Sequence, residues 1–465
     1  MRRPPPGPGR PRRGRPGCPR RSPWHSSAFL AAAPSAGETP AGDAPKAGTS
    51  VGDGPAAAAG RAVTDAAVVG RILREYRLGP VTVRRRYGSV SDTRVGYEFR
   101  QLGGVAMLVR AYRADMPLAE HLGGSGAVSV TAWLEGRAAT LDWLAAHGYP
   151  APRLVPERTG DPVGVAGPWL TMAATFIPGR ALARGQLGLL GATLGRLHAL
   201  PAPPVYPVPG PEPGPGAEPG PGAEPGPGAE PGPGAEPGPD PGGQAPETGA
   251  RPVPGLASWH PAAIPAALGR LDAVAALLPA EWRPLHEKFR ATLLAVQRAA
   301  PGLPRAVVHG DAWPGNAVVL PDGQAVLIDW ENGGLGLPVV DLGNCLLECH
   351  LDAGLPAGDP EAWHIRPDPG RIGAVLDGYT RRRPLHHAER EILPDGIRFA
   401  TAYIGAIHFE RALIDGVRGP TMDTRLARLR NRIAVSQAVA DLAALHLGQP
   451  GGRYAEPGRS DITGA

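Results

Sequence analysis

Hydrophobic and polar positions between residues 66 and 180 follow two different periods. Residues 66–76 and 129–148 have helical spacing, and the second stretch ends on a glycine, as helices commonly do. Strand-like runs occupy 81–90, 92–100, 105–113 and 169–177. In 92–100, Val95, Tyr97 and Phe99 alternate with polar neighbours, which is typical of a half-buried antiparallel strand. The pattern predicts a small antiparallel sheet with one long helix.

Beyond residue 180 the hydrophobic spacing is mainly helical. Helices are predicted at 187–200, within 256–300 and through most of 338–447. Between them, 305–333 reads as two apolar strands around a polar loop, with a turn at Pro321-Asp322-Gly323. The fold class predicted is α+β, with a sheet-bearing lobe at 63–180 and a larger helical lobe at 181–447.

Three segments lack hydrophobic periodicity. Residues 1–62 are rich in Pro, Gly, Ala and Arg, and 201–253 carry an EPGPGA repeat with glutamate at every sixth position. Neither segment can bury enough apolar surface to offset the entropy of ordering, so both are predicted to be disordered. Proline at two of every six positions removes ladder donors, which disfavours a β-solenoid for the repeat. Residues 448–465 are predicted to be a frayed end.

The net charge of +5 is concentrated in the first segment. Residues 1–62 carry +7, which leaves −2 for the rest of the chain, and no basic patch interleaved with aromatics follows. A nucleic-acid partner is therefore not expected. No run of about 18 apolar residues exists, so no membrane span is expected. The signal-like stretch after Arg20-Arg21 has a short apolar core broken by Pro34, which disfavours export.

Three cysteines, Cys18, Cys345 and Cys349, are too few for a disulfide framework. Cys345 and Cys349 are spaced i, i+4 in an apolar stretch, which favours two buried helical thiols over a metal pair. This usage predicts a reducing, cytoplasmic location.

The polar loop between the two strands of 305–333 carries an ordered set of oxygen-bearing side chains. Asp311 is followed five residues later by Asn316 and eighteen residues later by Asp329, with a hairpin between the last two. Phosphoryl transfer needs one carboxylate to orient a hydroxyl and accept its proton, and oxygen ligands to hold Mg²⁺ against the phosphates. The triple supplies both.

This motif, HGDxxxxN followed by Ile328-Asp329-Trp330 and then Asp341-Leu342, resembles the aminoglycoside-phosphotransferase family, relatives of the protein kinases. The resemblance runs from about Ala66 to Leu447 without the Pro-Gly insert. It implies a two-lobed protein-kinase-like fold, with ATP between the lobes and a small-molecule hydroxyl substrate on the helices after Asp341.

Carried over by position, Asp311 would be the catalytic base, while Asn316 and Asp329 would bind magnesium. His309 and Asp341 would brace the catalytic loop through hydrogen bonds. Asp341 also precedes an apolar helical run, where it could cap the helix, and a lone histidine such as His309 is more often a satisfied core residue.

The sheet lobe departs from the kinase pattern, which expects a lysine on the third strand. No lysine lies between Lys46 and Lys288, so Arg110, which shares a face with Leu108, is the predicted phosphate contact. A plain surface arginine is the alternative. Glu135 on the long helix could pair with Arg110 or be a solvated helix charge.

Further ATP contacts are predicted on two loops. Ser89 and Ser91, in the loop after the first strand, could lay backbone N–H groups over the phosphates. Thr175 to Ile177 resembles the hinge whose backbone holds adenine.

Together these residues favour an ATP- and Mg²⁺-dependent kinase of a small-molecule hydroxyl. A nucleotide-binding pseudokinase that acts as an interaction module is the alternative, supported by the missing lysine and opposed by the intact triple. A metal-dependent hydrolase would need more histidine and carboxylate ligands. Residues 331–448 hold 15 acidic residues against 13 arginines, which does not favour a polycationic substrate. Substrate and oligomeric state are left open.

Overall fold

The structure, a computed structural model, describes residues 68–76, 81–88, 94–101, 106–116, 129–203, 255, 257, 260–350, 366–417 and 420–448. The segment 1–62, nearly all of 201–253 and the chain after residue 448 lie outside the described residues, and so do the predictions made for them.

Helices and strands in the described residues follow the order expected from the hydrophobic pattern. The helices are α1 (68–75), α2 (Val130–Ala146), α3 (Leu187–His198), α4 (Ile264–Val274), α5 (Arg283–Ala299), α6 (Pro338–Glu348), α7 (Pro369–Thr380), α8 (His387–Leu413) and α9 (Pro420–Gly448). The strands are β1 (Val81–Gly88), β2 (Arg94–Gln101), β3 (Ala106–Arg113), β4 (Leu154–Val155), β5 (Gly164–Ala166), β6 (Trp169–Thr175), β7 (Arg180–Ala181), β8 (Ala306–Val308), β9 (Ala317–Val319), β10 (Ala325–Leu327) and β11 (Gly334–Gly336).

The first lobe is built on an antiparallel sheet in the order β1-β2-β3-β6-β4, with β5 also paired to β6. Val95, Tyr97 and Phe99 of β2 are at most 1% exposed, which confirms the face predicted from their alternation. They form a core with Ile72 of α1. The predicted α+β class, with a small antiparallel sheet and a larger helical part, is confirmed.

Helix α2 covers the other face of this sheet. The Ser129 side chain accepts a hydrogen bond from the Ala132 N–H and so caps the helix start. The helix ends before Gly148, whose φ of 65° is the left-handed conformation that stops helices. Trp133 packs edge-on against Tyr112 of β3, with ring centroids 5.2 Å apart. Helix α2 therefore holds β3 from behind.

Two small sheets join the first lobe to the helices. Strand β7 pairs with β9, which pairs with β10, and β8 pairs with β11. The sequence pattern did not reveal β4, β5, β7 and β11, because strands of two or three residues are too short to show a period. These pairings hold the loop after β8 beside the loop after β10.

Helices α3 and α7 cross at very close range in the helical lobe. A Cβ added at Gly191 of α3 would collide with the carbonyl oxygen of Val375, and one at Gly378 of α7 would collide with the carbonyl of Gly188. Glycine is therefore required at this crossing for packing. The crossing brings His198, at the end of α3, within hydrogen-bonding distance of Tyr379 on α7.

Cys345 and Cys349 are both buried and both free, as predicted. Cys345 lies in α6, and Cys349 directly follows the last residue of that helix. Burial raises the pKa of both thiols. In the described part of the chain, no helix combines the length and the hydrophobicity that crossing a membrane requires.

The helix crossing yields a stability prediction. Gly191→Ala should lower the free energy of unfolding by about 1–3 kcal/mol, since the added methyl group meets backbone and cannot be accommodated by side-chain motion. Gly269→Ala is the matched control, because Gly269 is exposed in α4 with open space around it. It should stabilise by about 0.5–1 kcal/mol. Urea unfolding of both variants measures the difference, and equal effects would contradict the packing account.

Candidate active site

The loop that follows β8 is fixed by one buried carboxylate. Asp341 in the first turn of α6 accepts hydrogen bonds from the N–H of His309 at 2.7 Å and the N–H of Gly310 at 2.9 Å. Burial opposes the charge, but the hydrogen bonds from the His198 ring and the His309 N–H outweigh it and lower the pKa of Asp341. The helix is capped at Leu337, so Asp341 braces the loop and is not an N-cap.

His309 ties this loop to the loop that follows β10. Its Nε2 lies 2.9 Å from the Ile328 carbonyl, and its Nδ1 accepts the Asp311 N–H at 3.3 Å. This pattern requires a proton on Nε2 and a neutral ring. Burial lowers the pKa of His309 and keeps the ring neutral. His309 is thus more than a satisfied core residue, because its two ring nitrogens join two loops of the site.

Gly310 allows the sharp turn between His309 and Asp311. Its φ is 76°, and a Cβ there would collide with the carbonyl of Asn332 in the neighbouring loop. Asp311 therefore follows a turn that Asp341 holds by hydrogen bonds on one side and that packs against Asn332 on the other.

Asp311 and Asn316 contact each other directly. The Asn316 amide nitrogen donates to the Asp311 carboxylate and to the Asp311 backbone carbonyl, both at 2.9 Å. With its amino group so engaged, Asn316 keeps its amide oxygen as a ligand atom. Burial, followed by the negative charges of Asp329 and Glu348, raises the pKa of Asp311 well above its ordinary value. A carboxyl with raised proton affinity suits a general base.

Asp329 adopts a backbone conformation that non-glycine residues seldom use. Its φ of 66° and ψ of 60° are left-handed, which aspartate tolerates better than most residues. Arg110 Nη1 lies 2.7 Å from Asp329 Oδ1 and forms an ion pair with it. Burial raises the pKa of Asp329 and Arg110 opposes the rise.

These groups fit the magnesium predicted from the sequence. The Asn316 amide oxygen and the Asp329 carboxylate are hard oxygen ligands of the kind Mg²⁺ prefers. Among the described residues, no group of three or more His, Cys, Asp and Glu side chains could hold a metal ion. A two-ligand protein site of this kind is completed by phosphate oxygens and water in nucleotide complexes.

Glu331, two residues after Asp329, is the centre of a buried cluster. The sequence analysis did not identify it. It accepts the Tyr112 hydroxyl at 2.8 Å and pairs with Arg110 Nη1 at 2.7 Å. It also pairs with Arg94 of β2. The cluster joins β2 and β3 to the loop that carries Asp329, so ion pairs connect the two lobes at this point.

Of the two alternatives predicted for Glu135, the structure has the exposed helix charge and not the pairing with Arg110. Glu135 is exposed on α2, and no ion pair joins it to another described residue. The carboxylates that Arg110 meets belong to Asp329 and Glu331. Helix α2 contacts the end of the loop that carries Asp329 through Arg137. This arginine is buried and donates to the Gly333 carbonyl. Burial lowers the pKa of Arg137 to about 10.

Only some of the other residues predicted to contact ATP are among the described residues. Ser89 and Ser91 lie outside the described residues. Thr175 ends β6, and its N–H and hydroxyl are both engaged with the backbone of Arg153 at 2.8 Å. Ile177, two residues further on, lies at the passage between the lobes. An adenine contact at this hinge stays a prediction.

The family model described as the phosphotransferase enzyme family matches residues 131–385, more than half of the chain. The chain belongs to this family, and the family assignment predicted from the motif is confirmed. The match starts after β3, so Arg94 and Arg110 lie outside it.

Two curated relatives are homoserine kinases from Rhodopseudomonas palustris. The one from strain BisA53 is 32% identical over 120 residues, covering 24% of this chain and 32% of its own length. The one from strain BisB18 is 31% identical over 115 residues, which is 31% of its length. The chain thus spans about a third of the relatives it matches.

Solved structures of small-molecule kinases are also similar. An amicoumacin kinase in complex with AMP-PNP and Ca²⁺ shares 14% identity at a TM-score of 0.49, with 81% of this chain and 96% of that chain covered. An aminoglycoside phosphotransferase from Alicyclobacillus acidocaldarius shares 13% identity at a TM-score of 0.45, with 79% and 94% covered.

Glu331 and Glu135 give a matched pair of variants. Glu331→Gln should lower the free energy of unfolding by about 2–3 kcal/mol, because it leaves Arg94 and Arg110 with one carboxylate fewer in a buried setting. Glu135→Gln should change it by less than about 0.5 kcal/mol. Urea unfolding at low ionic strength measures both, and a larger loss at Glu135 would contradict the assignment of the cluster.

The ionised carboxylate of Asp311 is expected to lower the free energy of unfolding. Its folded-state pKa is raised, so ionising it in the folded protein costs free energy once the pH exceeds the unfolded value of about 3.9. Asp311→Asn should therefore stabilise the chain in EDTA at pH 8, with a gain that shrinks as the pH falls and vanishes below about 4. Asp322→Asn, at an exposed turn, is the control. A pH-independent effect of Asp311→Asn would contradict the raised pKa.

Proposed function

We propose that the protein is an ATP-dependent kinase that transfers the γ-phosphoryl group to a hydroxyl of a small molecule. The observation that carries the proposal is the joint placement of Asp311, Asn316 and Asp329 beside Arg110, held by Asp341 and His309. One base, two oxygen ligands and one cation are the parts that phosphoryl transfer requires of a protein.

Asp311 would accept the proton of the acceptor hydroxyl as its oxygen attacks the γ-phosphorus. The O–H bond breaks, a new O–P bond forms, and the bond from γ-phosphorus to the bridging oxygen breaks with release of ADP. The raised pKa of Asp311 supports the role of proton acceptor. Its bond from Asn316 would hold the carboxylate toward the hydroxyl.

Arg110 would neutralise phosphate oxygens from the side of the sheet. Its guanidinium is permanently charged and can fork between acceptors, as it already does between Asp329 and Glu331. Asn316 and Asp329 would hold Mg²⁺, which supplies neutralisation of the charge that develops on the phosphates. Asp341 and His309 would keep these groups in register without touching the substrate.

The acceptor would lie against the face of α6 that also carries Asp341. Asn344 and Glu348 fall three and seven residues after Asp341, on the same side of the helix. The Asn344 amide nitrogen is buried without a hydrogen-bond partner in the described chain. Glu348 acts electrostatically on Asp311 and pairs with Arg432 of α9. Glu348 and Arg432 pair with each other, so this face offers no excess of negative charge for a polycation.

The buried free thiols and the need for ATP support a cytoplasmic location.

Transfer of labelled γ-phosphate with Mg²⁺ tests the function, against a panel of homoserine, other amino alcohols, sugars, macrolides and aminoglycosides. Wild type should phosphorylate one substrate class, and Asp311→Asn should lower the rate by roughly 10²–10⁴-fold. Asp322→Asn should leave it unchanged. ATP binding without transfer to any acceptor would favour the pseudokinase alternative, and absence of both would overturn the proposal.

A further inference from the structure

A continuous chain of buried polar side chains extends the bracing of the catalytic loop through the helical lobe. It starts at Asp341, whose Oδ2 lies 3.1 Å from Nε2 of His198 on α3. The other ring nitrogen of His198, Nδ1, lies 2.9 Å from the Tyr379 hydroxyl on α7. Asp341, His198 and Tyr379 are each at most 3% exposed, so water does not compete for these bonds.

Beyond Tyr379 the chain ends in a buried ion pair. Arg383 donates from Nη1 to the Tyr379 hydroxyl at 3.0 Å. The same guanidinium forks onto both carboxylate oxygens of Glu389, at 2.9 and 3.0 Å. Glu389 is fully buried at the start of α8, where it also accepts the His386 N–H at 3.1 Å. Five side chains thus connect the start of α8 to the turn before Asp311.

The chemistry of the two end groups sets the direction of every hydrogen bond in the chain. A guanidinium has no acceptor atom, so in this contact Arg383 donates the hydrogen bond and the Tyr379 oxygen accepts it. The single hydroxyl proton of Tyr379 is then available to Nδ1 of His198. That nitrogen accepts, so the ring proton lies on Nε2 and is donated to Asp341. The carboxylate, which can only accept, closes the sequence.

The protonation states agree with this direction. Burial lowers the pKa of His198, although Asp341 opposes the fall, and raises the pKa of Tyr379. A neutral imidazole and a protonated phenol are the forms that the chain requires. Without the tyrosine hydroxyl, Nδ1 of His198 would lack a donor, and only the bond from Nε2 to Asp341 would orient the ring.

We infer that Tyr379, held by the Arg383–Glu389 pair, is a positioning residue for phosphoryl transfer, because it orients His198 so that Asp341 keeps the catalytic loop in place. The predicted effect on kcat rests on the proposed function, whereas the predicted effect on the loop rests only on the hydrogen bonds from Glu389 to Asp341. The loop geometry acts on transfer by Asp311, whereas the proposed phosphate contact Arg110 is on β3 and is held by Asp329 and Glu331.

Tyr379→Phe tests the inference because it removes one hydroxyl and little volume. Tyr149→Phe is the matched control, since the Tyr149 hydroxyl is also buried and also bonds to α3, at the Thr193 carbonyl, but lies outside the chain of bonds. In Tyr379→Phe, kcat should fall roughly tenfold or more, since small displacements of a catalytic group are costly. The dissociation constant for Mg²⁺·ATP should stay within about twofold.

Two readouts do not depend on activity. Nitrogen-15 spectra of His198 should show a neutral ring with the proton on Nε2 and a hydrogen-bonded Nδ1 in wild type, and loss of the Nδ1 bond in Tyr379→Phe. Amide exchange of the peptide containing His309 and Gly310 should accelerate in Tyr379→Phe and remain slow in Tyr149→Phe. If wild type shows no transfer at all, these measurements still decide the inference while the proposed function fails.

Arg383→Lys provides a second variant with a retained positive charge. Lysine can donate to Tyr379 but cannot fork onto Glu389, so kcat should fall less than in Tyr379→Phe and loop exchange should be intermediate. Equal kcat for wild type and Tyr379→Phe, or an unchanged exchange rate of the His309 peptide, would overturn the inference. So would an equal loss in Tyr149→Phe, which would mean that general destabilisation causes the effect.

Discussion

The buried carboxylate of Asp341 is the interaction on which the candidate site depends. It accepts hydrogen bonds from two consecutive backbone N–H groups in the loop after β8 and from the imidazole of His198. A buried carboxylate is costly unless its oxygens are satisfied, so these bonds stabilise both the charge and the loop. The position of Asp311 follows, because it is the next residue after the two that are held. The glycine-mediated crossing of α3 and α7 supplies the third donor by placing His198 beside Tyr379.

Charge also joins the two lobes at Glu331. One carboxylate of the helical lobe collects Arg94, Arg110 and Tyr112 from two strands of the sheet. Protein kinases place the corresponding contact between a lysine and a helix glutamate. In this chain the cation is Arg110, and its carboxylate partners Asp329 and Glu331 lie in the loop after β10. The position of Arg110 therefore does not depend on Glu135.

The sequence predicted the parts of the fold and site that are encoded locally. Alternation placed β2 and its buried face, and the spacing of Asp311, Asn316 and Asp329 identified the loop. It did not predict contacts between residues far apart in the chain. Glu331 and Arg94 are 237 positions apart, and His198 and Asp341 are 143 apart, so no periodicity could relate them. For the same reason the sequence left the role of Glu135 open, because the packing of the two lobes decides which carboxylates Arg110 meets.

The most direct measurement is single-turnover γ-phosphoryl transfer by wild type and Asp341→Asn, with Mg²⁺·ATP affinity measured on the same samples and folding confirmed by circular dichroism. An amide cannot accept on both atoms, so one loop N–H loses its partner. We predict transfer slower by roughly 10²-fold or more with the dissociation constant for Mg²⁺·ATP within about threefold of wild type. Unchanged transfer per bound nucleotide would contradict the account.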